Sequence, residues 1–258
     1  MAEKAVPRVA CRSRGEPGAY MRSIARPLVL PGLRQERPMT AEQPEWIRDV
    51  LSTPRFASYL AASDSDVGTA IRLYWWNVEV SAALYIPLHC LELALRNAMQ
   101  AQLCSWFGRA DWWVQAPLDN NGRLAVSTAE ERLLRRPRRR YTADDVVAKL
   151  TFGFWVSLLS RGYDRELWVP ALHRAFPYFT RRRQELHADL LDVLDLRNRI
   201  MHYEPVHRRD LWGDHAKLHR LLGYISPRMV KELEARDRVG EVLRSHNAGS
   251  TPGRGAAR

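Results

Sequence analysis

An arginine, an asparagine and a histidine stand close together in the stretch LDLRNRIMHYEP, residues 194–205. Metal-free RNA cleavage needs a group that takes a proton from a 2′-hydroxyl and can return one to the leaving oxygen, and histidine titrates in the range for both tasks. It also needs charge stabilisation at phosphorus, which a guanidinium supplies. We therefore take Arg197, Asn198 and His202 as candidate catalytic residues, with Asn198 placed to bind the histidine or a phosphate oxygen. The same pattern also fits a solvated, basic helix end.

Helical periodicity of apolar residues extends over most of the chain, and no segment shows credible strand alternation. The predicted fold class is therefore all-α. The helices predicted from this periodicity span residues 43–52, 54–62, 67–107, 124–135, 143–160, 165–174, 181–203, 209–223 and 227–244. Pro87 is expected to kink or divide the helix at 67–107, because proline removes a backbone hydrogen bond.

The helix predicted at 181–203 must position the candidate residues. Its apolar face is formed by Leu186, Leu190, Val193, Leu194, Leu196 and Ile200. Arg197, Asn198 and His202 lie at or beside the margins of this face. Residue 204 precedes a proline and so disfavours further helix, which places His202 in or near the last turn.

Three segments differ in composition. Residues 1–39 are rich in Arg, Pro and Gly and are predicted to be a disordered basic extension, with translation starting at either Met1 or Met39. Residues 40–245 are predicted to form a single helical domain, and residues 246–258 a disordered tail.

The chain carries a net charge of +11, of which residues 1–39 contribute +5 and the remainder +6. A basic body of this size is compatible with polyanion binding without requiring it. The three cysteines have no metal-site spacing, which is typical of a reducing cytoplasm. The most apolar stretch, residues 78–95, is interrupted by polar residues and is predicted to be too polar to span a bilayer. We therefore expect a soluble cytoplasmic protein with no membrane partner.

Two arginine clusters could contact a phosphate backbone, although such runs are also common in solvated loops. Their members are Arg135, Arg136, Arg138, Arg139 and Arg140 in the first cluster and Arg181, Arg182 and Arg183 in the second. The pairs at 75–76 and 112–113 are tryptophans that could stack bases, with core or dimer packing as the alternative.

A histidine-rich region raises the question of a metal site. The side chains concerned are His202, Glu204, His207, His215 and His219. His215 and His219 have the i, i+4 spacing of helical metal ligands. No cysteine supports such a site, and the pattern is not H-E-x-x-H. We therefore interpret these histidines as surface residues and predict neither a metal ion nor another cofactor.

Four segments occur in a characteristic order along the chain. They are LSTPRFASYLAAS (51–63), ALYIPLHCLELALRNAMQAQL (83–103), LTFGFWVSLLS (150–160) and DLRNRIMHYEPV (195–206). Taken together they resemble the bacterial Abi-like family, whose members are linked to abortive infection and belong to the HEPN superfamily. The resemblance spans roughly residues 45–225.

This resemblance implies a HEPN-like helical bundle with extra N- and C-terminal helices. It also implies that Arg197, Asn198 and His202 form a ribonuclease centre that cuts RNA without metal, leaving a 2′,3′-cyclic phosphate and a 5′-hydroxyl. Proteins of this kind typically form homodimers that bring two motifs into one cleft. The implied role is a toxin or phage-defence effector, with an antitoxin RNA or protein as a further partner.

The ELALRN stretch is similar to a second family signature. Glu92, Arg96 and Asn97 are therefore expected to support the catalytic residues from an adjacent helix, with a buried structural ion pair as the alternative. For Tyr203 and Glu204, which follow His202, a capping role is expected.

Two other functions remain open from the sequence. The same basic surface could hold a structured RNA without cutting it, or the helices could serve as a protein–protein adaptor. Binding that survives loss of His202 without any cleavage would favour the first of these.

Overall fold

The computed structural model describes residues 44–135 and 140–249. Within these ranges no strand occurs, which confirms the predicted all-α class. The α-helices are α1 (Thr53–Ala61), α2 (Val67–Phe107), α3 (Asn120–Leu134), α4 (Ala143–Lys149), α5 (Phe152–Ser157), α6 (Arg183–Met201), α7 (Leu211–Ile225), α8 (Pro227–Glu234) and α9 (Val239–Gly249). Short 3-10 or π turns lie at Ile47–Leu51, Trp112–Val114, Arg161–Tyr163, Asp164–Trp168 and Leu172–Ala175.

Helix α2 is the centre of the fold. The Asp66 side chain accepts a hydrogen bond from the Thr69 N–H at 2.7 Å and starts the helix, and Gly108 ends it in the left-handed conformation with φ of 66°. Its buried face includes Val80, Leu84, Leu88, Leu91, Leu95, Met99 and Leu103. Helices α1, α5, α6, α7, α8 and α9 all contact α2. Burial of each large aliphatic side chain contributes roughly 1.5–3 kcal/mol before entropy is subtracted.

Helix α2 also meets the criteria of length and mean hydropathy for a membrane-spanning helix. Of its qualifying 18-residue window, 39% is buried inside the protein. One such helix is weak support for a span, because the core helix of a soluble protein meets the same criteria. The polar residues within 78–95 therefore do not by themselves exclude a span, and the cytoplasmic location stays a prediction.

Several predicted helix boundaries are wrong. Pro87 does not divide α2, which is continuous across it. The segment predicted as one helix at 143–160 forms α4 and α5, because Leu150 is extended and the Thr151 side chain caps a new helix. The predicted helix at 165–174 consists of short turns, and the one at 227–244 is divided between α8 and α9.

The predicted chain segments are described only in part. Helix α9 continues to Gly249 and so crosses the predicted domain end at residue 245. The basic extension at 1–39 and the remainder of the predicted tail lie outside the described residues.

Helix α6 is attached to α7 by an ionic cluster centred on Arg209. The guanidinium donates to Asp192 Oδ1 at 2.8 Å, Asp195 Oδ2 at 2.7 Å and Asp214 Oδ2 at 2.7 Å. Lys217 on α7 also pairs with Asp192. Since Asp214 is buried and Arg209 is half-buried, the cluster fixes how α6 lies against α7.

Candidate active site at the end of helix α6

The three candidate catalytic residues occupy the last turn of α6 and its C-cap. His202 is the C-cap, and its backbone N–H still donates to the Asn198 carbonyl at 2.9 Å. Because this is the helical i, i+4 bond, Asn198 and His202 stand one turn apart on the same side of the helix. Arg197 Nη1 lies 3.5 Å from Asn198 Oδ1, at the limit of a hydrogen bond. The three residues therefore lie within the last turn of α6 and its C-cap, with Arg197 and Asn198 joined by this one long contact.

The candidate residues differ in exposure and in partners. The Arg197 side chain is half-buried, whereas His202 is exposed. Among the described residues, no side-chain hydrogen bond or ion pair engages the His202 imidazole. The imidazole is thus free to meet a ligand, and no hydrogen bond joins it to the Arg197 guanidinium.

Glu92 reaches the candidate site from α2. Its Oε2 lies 3.4 Å from Arg197 Nε and forms an ion pair whose angles do not make a hydrogen bond, since the buried Arg197 Nε has no hydrogen-bonding partner among the described residues. Arg96 and Asn97 bond to each other instead, with Nε to Oδ1 at 3.3 Å. Of the three predicted supporting residues on α2, only Glu92 therefore contacts the candidate catalytic residues in the described structure.

Tyr203 and Glu204 terminate α6. The Tyr203 N–H donates to the Ile200 carbonyl at 3.1 Å and the Glu204 N–H donates to the Arg199 carbonyl at 2.8 Å. This pair of bonds is a Schellman ending, which requires a left-handed residue, and Tyr203 occupies that position with φ of 58°. A non-glycine residue there costs about 1–2 kcal/mol. The Tyr203 side chain is 80% exposed, so it offers an aromatic ring beside His202.

The chain that follows the motif is anchored by Asn77 of α2. Its Oδ1 accepts hydrogen bonds from the Val206 N–H at 2.8 Å and the His207 N–H at 3.2 Å. The Asn77 side chain is buried, and Val206 is fully buried. Arg55 adds a second tie, donating to the Tyr203 carbonyl at 3.0 Å. These contacts set the path of the backbone immediately after His202, and no spacing pattern in the sequence indicates them.

A cavity of about 880 Å³ opens beside the end of α6. Its lining includes Arg55, Tyr59, Tyr74, Tyr85, Met201 and Tyr203. Burial, with Tyr74 close by, raises the pKa of Tyr59 to about 12, so this phenol stays uncharged at neutral pH. The volume lies in the range of pockets that take small molecules or single nucleotides.

The first arginine cluster is described only at its ends. Arg135, the C-cap of α3, and Arg140 are both exposed. Arg136, Arg138 and Arg139 lie outside the described residues.

The second arginine cluster requires one correction. Arg181 pairs with Glu185, and Arg182 is exposed. Arg183 is buried: it donates to Asp164 at 2.5 Å and also to the Leu159 carbonyl. The prediction that Arg183 contacts RNA is therefore wrong, because its guanidinium is used inside the protein.

The tryptophan pairs differ in environment. Trp112 and Trp113 are core residues, and Trp112 Nε1 donates to Gln100 Oε1 at 2.6 Å. Trp76 donates to the Val242 carbonyl at 3.2 Å, whereas Trp75 is 51% exposed. The pair at 112–113 is therefore too buried to stack nucleic-acid bases.

Not all of the histidines predicted to be surface residues are exposed. His215 and His219 are half-buried and converge on Asp237. His207 packs its ring on Tyr59 at a centroid distance of 4.9 Å, and neither ring nitrogen has a hydrogen-bonding partner among the described residues. Burial, and secondarily the charge of Arg208, lowers the pKa of His207.

No family model, no curated protein and no solved structure matches this chain. The similarity to the Abi-like family therefore rests on the four sequence segments quoted above.

Proposed function

We propose that this chain is a metal-independent endoribonuclease of the HEPN type that acts in the cytoplasm as a toxin or phage-defence effector. The observation that carries the proposal is the end of α6. There an exposed imidazole at His202 stands one turn from Asn198, and Asn198 is reached by the Arg197 guanidinium. These are the residue types that metal-free RNA cleavage needs, within the last turn of α6 and its C-cap.

The chemistry follows from the roles of these groups. His202 takes the proton of a ribose 2′-hydroxyl, the 2′-oxygen attacks the adjacent phosphorus, and the bond from phosphorus to the 5′-oxygen breaks. Protonation of that oxygen leaves a 5′-hydroxyl and a 2′,3′-cyclic phosphate. Arg197 stabilises the negative charge that develops on the phosphoryl oxygens, and Asn198 orients the phosphate or the imidazole.

The two proton transfers explain why we propose a homodimer. They take place on opposite sides of the phosphorus atom, so one imidazole cannot carry out both in a single concerted step. A second copy of the chain would supply the second His202. Exposed apolar side chains on α2 near the cavity support such an interface, since Val78 is 39% and Tyr85 is 50% exposed.

Glu92 is assigned a positioning role. Its carboxylate lies 3.4 Å from Arg197 Nε and so favours one orientation of the guanidinium. Both side chains are partly exposed, and the pair therefore contributes only about 0.2–1 kcal/mol to stability. Glu92→Gln is expected to lower the cleavage rate while leaving the melting temperature nearly unchanged.

Substrate binding would use the cavity and the exposed arginines. An unstacked base can stack on the aromatic rings of Tyr74, Tyr85 or Tyr203, and Arg135, Arg140 and Arg182 are exposed for phosphate contacts. Each lost phosphate contact on a single strand should reduce the slope of log affinity against log salt by about 0.7.

The test is RNA cleavage by the purified full chain in EDTA. His202→Ala should lower the rate by about 10²–10⁴-fold and Arg197→Ala by about 10²–10³-fold, with unchanged circular dichroism. His173→Ala and Arg236→Ala serve as controls, since both side chains are exposed and neither is placed in the proposed site. Both controls should cleave at the wild-type rate.

Two outcomes would overturn this assignment. Cleavage that requires an added metal ion, or full activity in both His202→Ala and Arg197→Ala, would remove the catalytic role. RNA binding that survives His202→Ala, with no cleavage of any RNA by the wild-type protein, would instead identify a non-catalytic RNA-binding module.

A further inference from the structure

A second cluster of chemically active side chains lies on α7 and the connection between α8 and α9. His215 Nε2 lies 2.7 Å from Asp237 Oδ2, and His219 Nε2 lies 2.5 Å from the same oxygen. The two imidazole rings meet edge to face, with their centroids 4.6 Å apart. Three ligand-type atoms from two separate parts of the chain thus converge on one point, all within 4.8 Å of one another.

The Asp237 carboxylate is oriented by a backbone hydrogen bond. The Val239 N–H donates to Asp237 Oδ1 at 2.9 Å, which directs Oδ2 toward the two histidines. Metal-binding carboxylates and imidazoles are typically oriented by outer hydrogen bonds of this sort. Among the described residues no lysine or arginine forms an ion pair with Asp237. Burial opposes a charge on Asp237, but hydrogen bonds from His215, Val239 and His219 outweigh it and lower its pKa.

The burial of the cluster suits a bound ion. The Asp237 side chain is 7% exposed, while His215 and His219 are 20% and 21% exposed, which leaves a route to solvent. Zinc binds imidazole nitrogen and carboxylate oxygen at about 2.0–2.2 Å, so tetrahedral ligand atoms stand about 3.3 Å apart. The two separations between a histidine Nε2 and Asp237 Oδ2 would need to widen by less than about 1 Å, which side-chain rotation provides.

We propose that His215, His219 and Asp237 form a binding site for a zinc-class divalent ion, with water in the fourth position. The ligands are two neutral imidazoles bound through Nε2 and one carboxylate, so each ring carries its remaining proton on Nδ1. Any Nε2 proton that now faces Asp237 leaves that atom when the ion binds, and affinity falls as the pH is lowered.

The site is independent of the proposed ribonuclease and has a structural role. Position 216 is Ala216, where zinc hydrolases with the H-E-x-x-H pattern have their glutamate base, so the site lacks that general base. A bound ion would instead connect α7 to the start of α9. It would thereby stabilise the folded protein by mass action.

The experiment uses the full chain, treated with EDTA, desalted and then titrated with Zn²⁺ by calorimetry. We expect saturable 1:1 binding, a rise in melting temperature of about 5–10 °C at 100 times the dissociation constant, and tetrahedral Co²⁺ absorption bands. His215→Ala and Asp237→Asn should each weaken binding by at least about tenfold. The matched control is His173→Ala, which removes an exposed histidine outside the cluster and should bind as the wild type does.

Absence of saturable Zn²⁺ binding would overturn the proposal, as would equal affinity in wild type and both variants. If circular dichroism shows that His215→Ala is misfolded, Asp237→Asn decides, because asparagine keeps the shape and an acceptor oxygen. These readouts contain no RNA, so their outcome is separate from that of the ribonuclease assay. EDTA would remove the ion, so cleavage rates in EDTA are compared at temperatures where circular dichroism shows folded protein.

Discussion

Asn77→Ala is the substitution that tests most closely how the fold positions the end of α6. Asn77 Oδ1 accepts from the Val206 and His207 N–H groups, and alanine would remove both bonds without adding bulk. The affected backbone begins four residues after His202. The substitution therefore perturbs the support of the candidate site and leaves the candidate catalytic side chains in place.

The magnitude follows from burial of the two orphaned donors. An unsatisfied buried N–H costs about 1–3 kcal/mol. Val206 is fully buried and should incur this penalty in full, whereas His207 is half-buried, and water can recover part of its loss. The expected loss of unfolding free energy is therefore about 2–4 kcal/mol.

Urea unfolding followed by tryptophan fluorescence measures this loss. With a slope of about 2 kcal/mol/M, the midpoint should fall by about 1–2 M while the slope stays constant. Ser81→Ala is the matched control, since Ser81 lies one turn along α2 and, among the described residues, its hydroxyl bonds only the Asn77 carbonyl of its own helix. That variant should change stability by less than about 0.5 kcal/mol. A loss below about 1 kcal/mol in Asn77→Ala, or an equal loss in both variants, would refute the reasoning.

Three further predictions concern residues around the site. Arg209→Ala leaves the buried Asp214 carboxylate unpaired and should lower the free energy of unfolding by about 2–4 kcal/mol, slightly less than the loss expected for a fully buried ion pair. An unchanged urea midpoint would contradict this prediction. The lowered pKa of His207 means that the unfolded chain binds its proton more readily, so wild-type stability should fall as pH drops below about 6.5, and His207→Phe should reduce that dependence in melts at pH 5.5 and 8. Equal pH dependence of the melting temperature in the wild type and His207→Phe would exclude His207 as the source of the effect. Tyr203→Gly should raise stability by about 0.5–1 kcal/mol, because glycine adopts the left-handed conformation without strain, and a lower midpoint would show that the exposed ring packs on the protein.

The long central helix could be predicted from sequence, including its bounds at 67–107. Its two ends carry strong local signals, an aspartate that caps the start and a glycine that permits the left-handed end. The break between α4 and α5 could not be predicted from sequence, because Thr151 lies inside an apolar run whose helical spacing continues across it. The extended backbone at Leu150 and the hydrogen bond from the Phe154 N–H to the Thr151 side chain identify the new helix.

The burial of one charged side chain, that of Arg183, could have been predicted from the sequence. Arg183 falls on the same helical face as Leu186 and Leu190, and that position could have indicated that its side chain points inward. The arginine run concealed this, since adjacent positions 181 and 182 face solvent.

The contacts that organise the sites come from tertiary structure. Asp237 joins His215 and His219 only because α8 returns the chain to α7, and no spacing rule connects these positions. The i, i+4 histidine pair was visible in the sequence, but its third member was not. The same holds for Asn77, which meets Val206 across 129 positions of the chain.

Cleavage of an RNA with a single 2′-deoxy substitution at the cut site tests the proposed chemistry most directly. The all-ribose substrate should be cut in EDTA by the wild-type protein to a 2′,3′-cyclic phosphate and a 5′-hydroxyl. The substituted RNA should remain intact at that position, and His202→Ala should cut the all-ribose RNA at least about 10²-fold more slowly than the wild-type protein. Cleavage of the deoxy-substituted bond, or products with a 5′-phosphate, would contradict a mechanism in which His202 activates the 2′-hydroxyl.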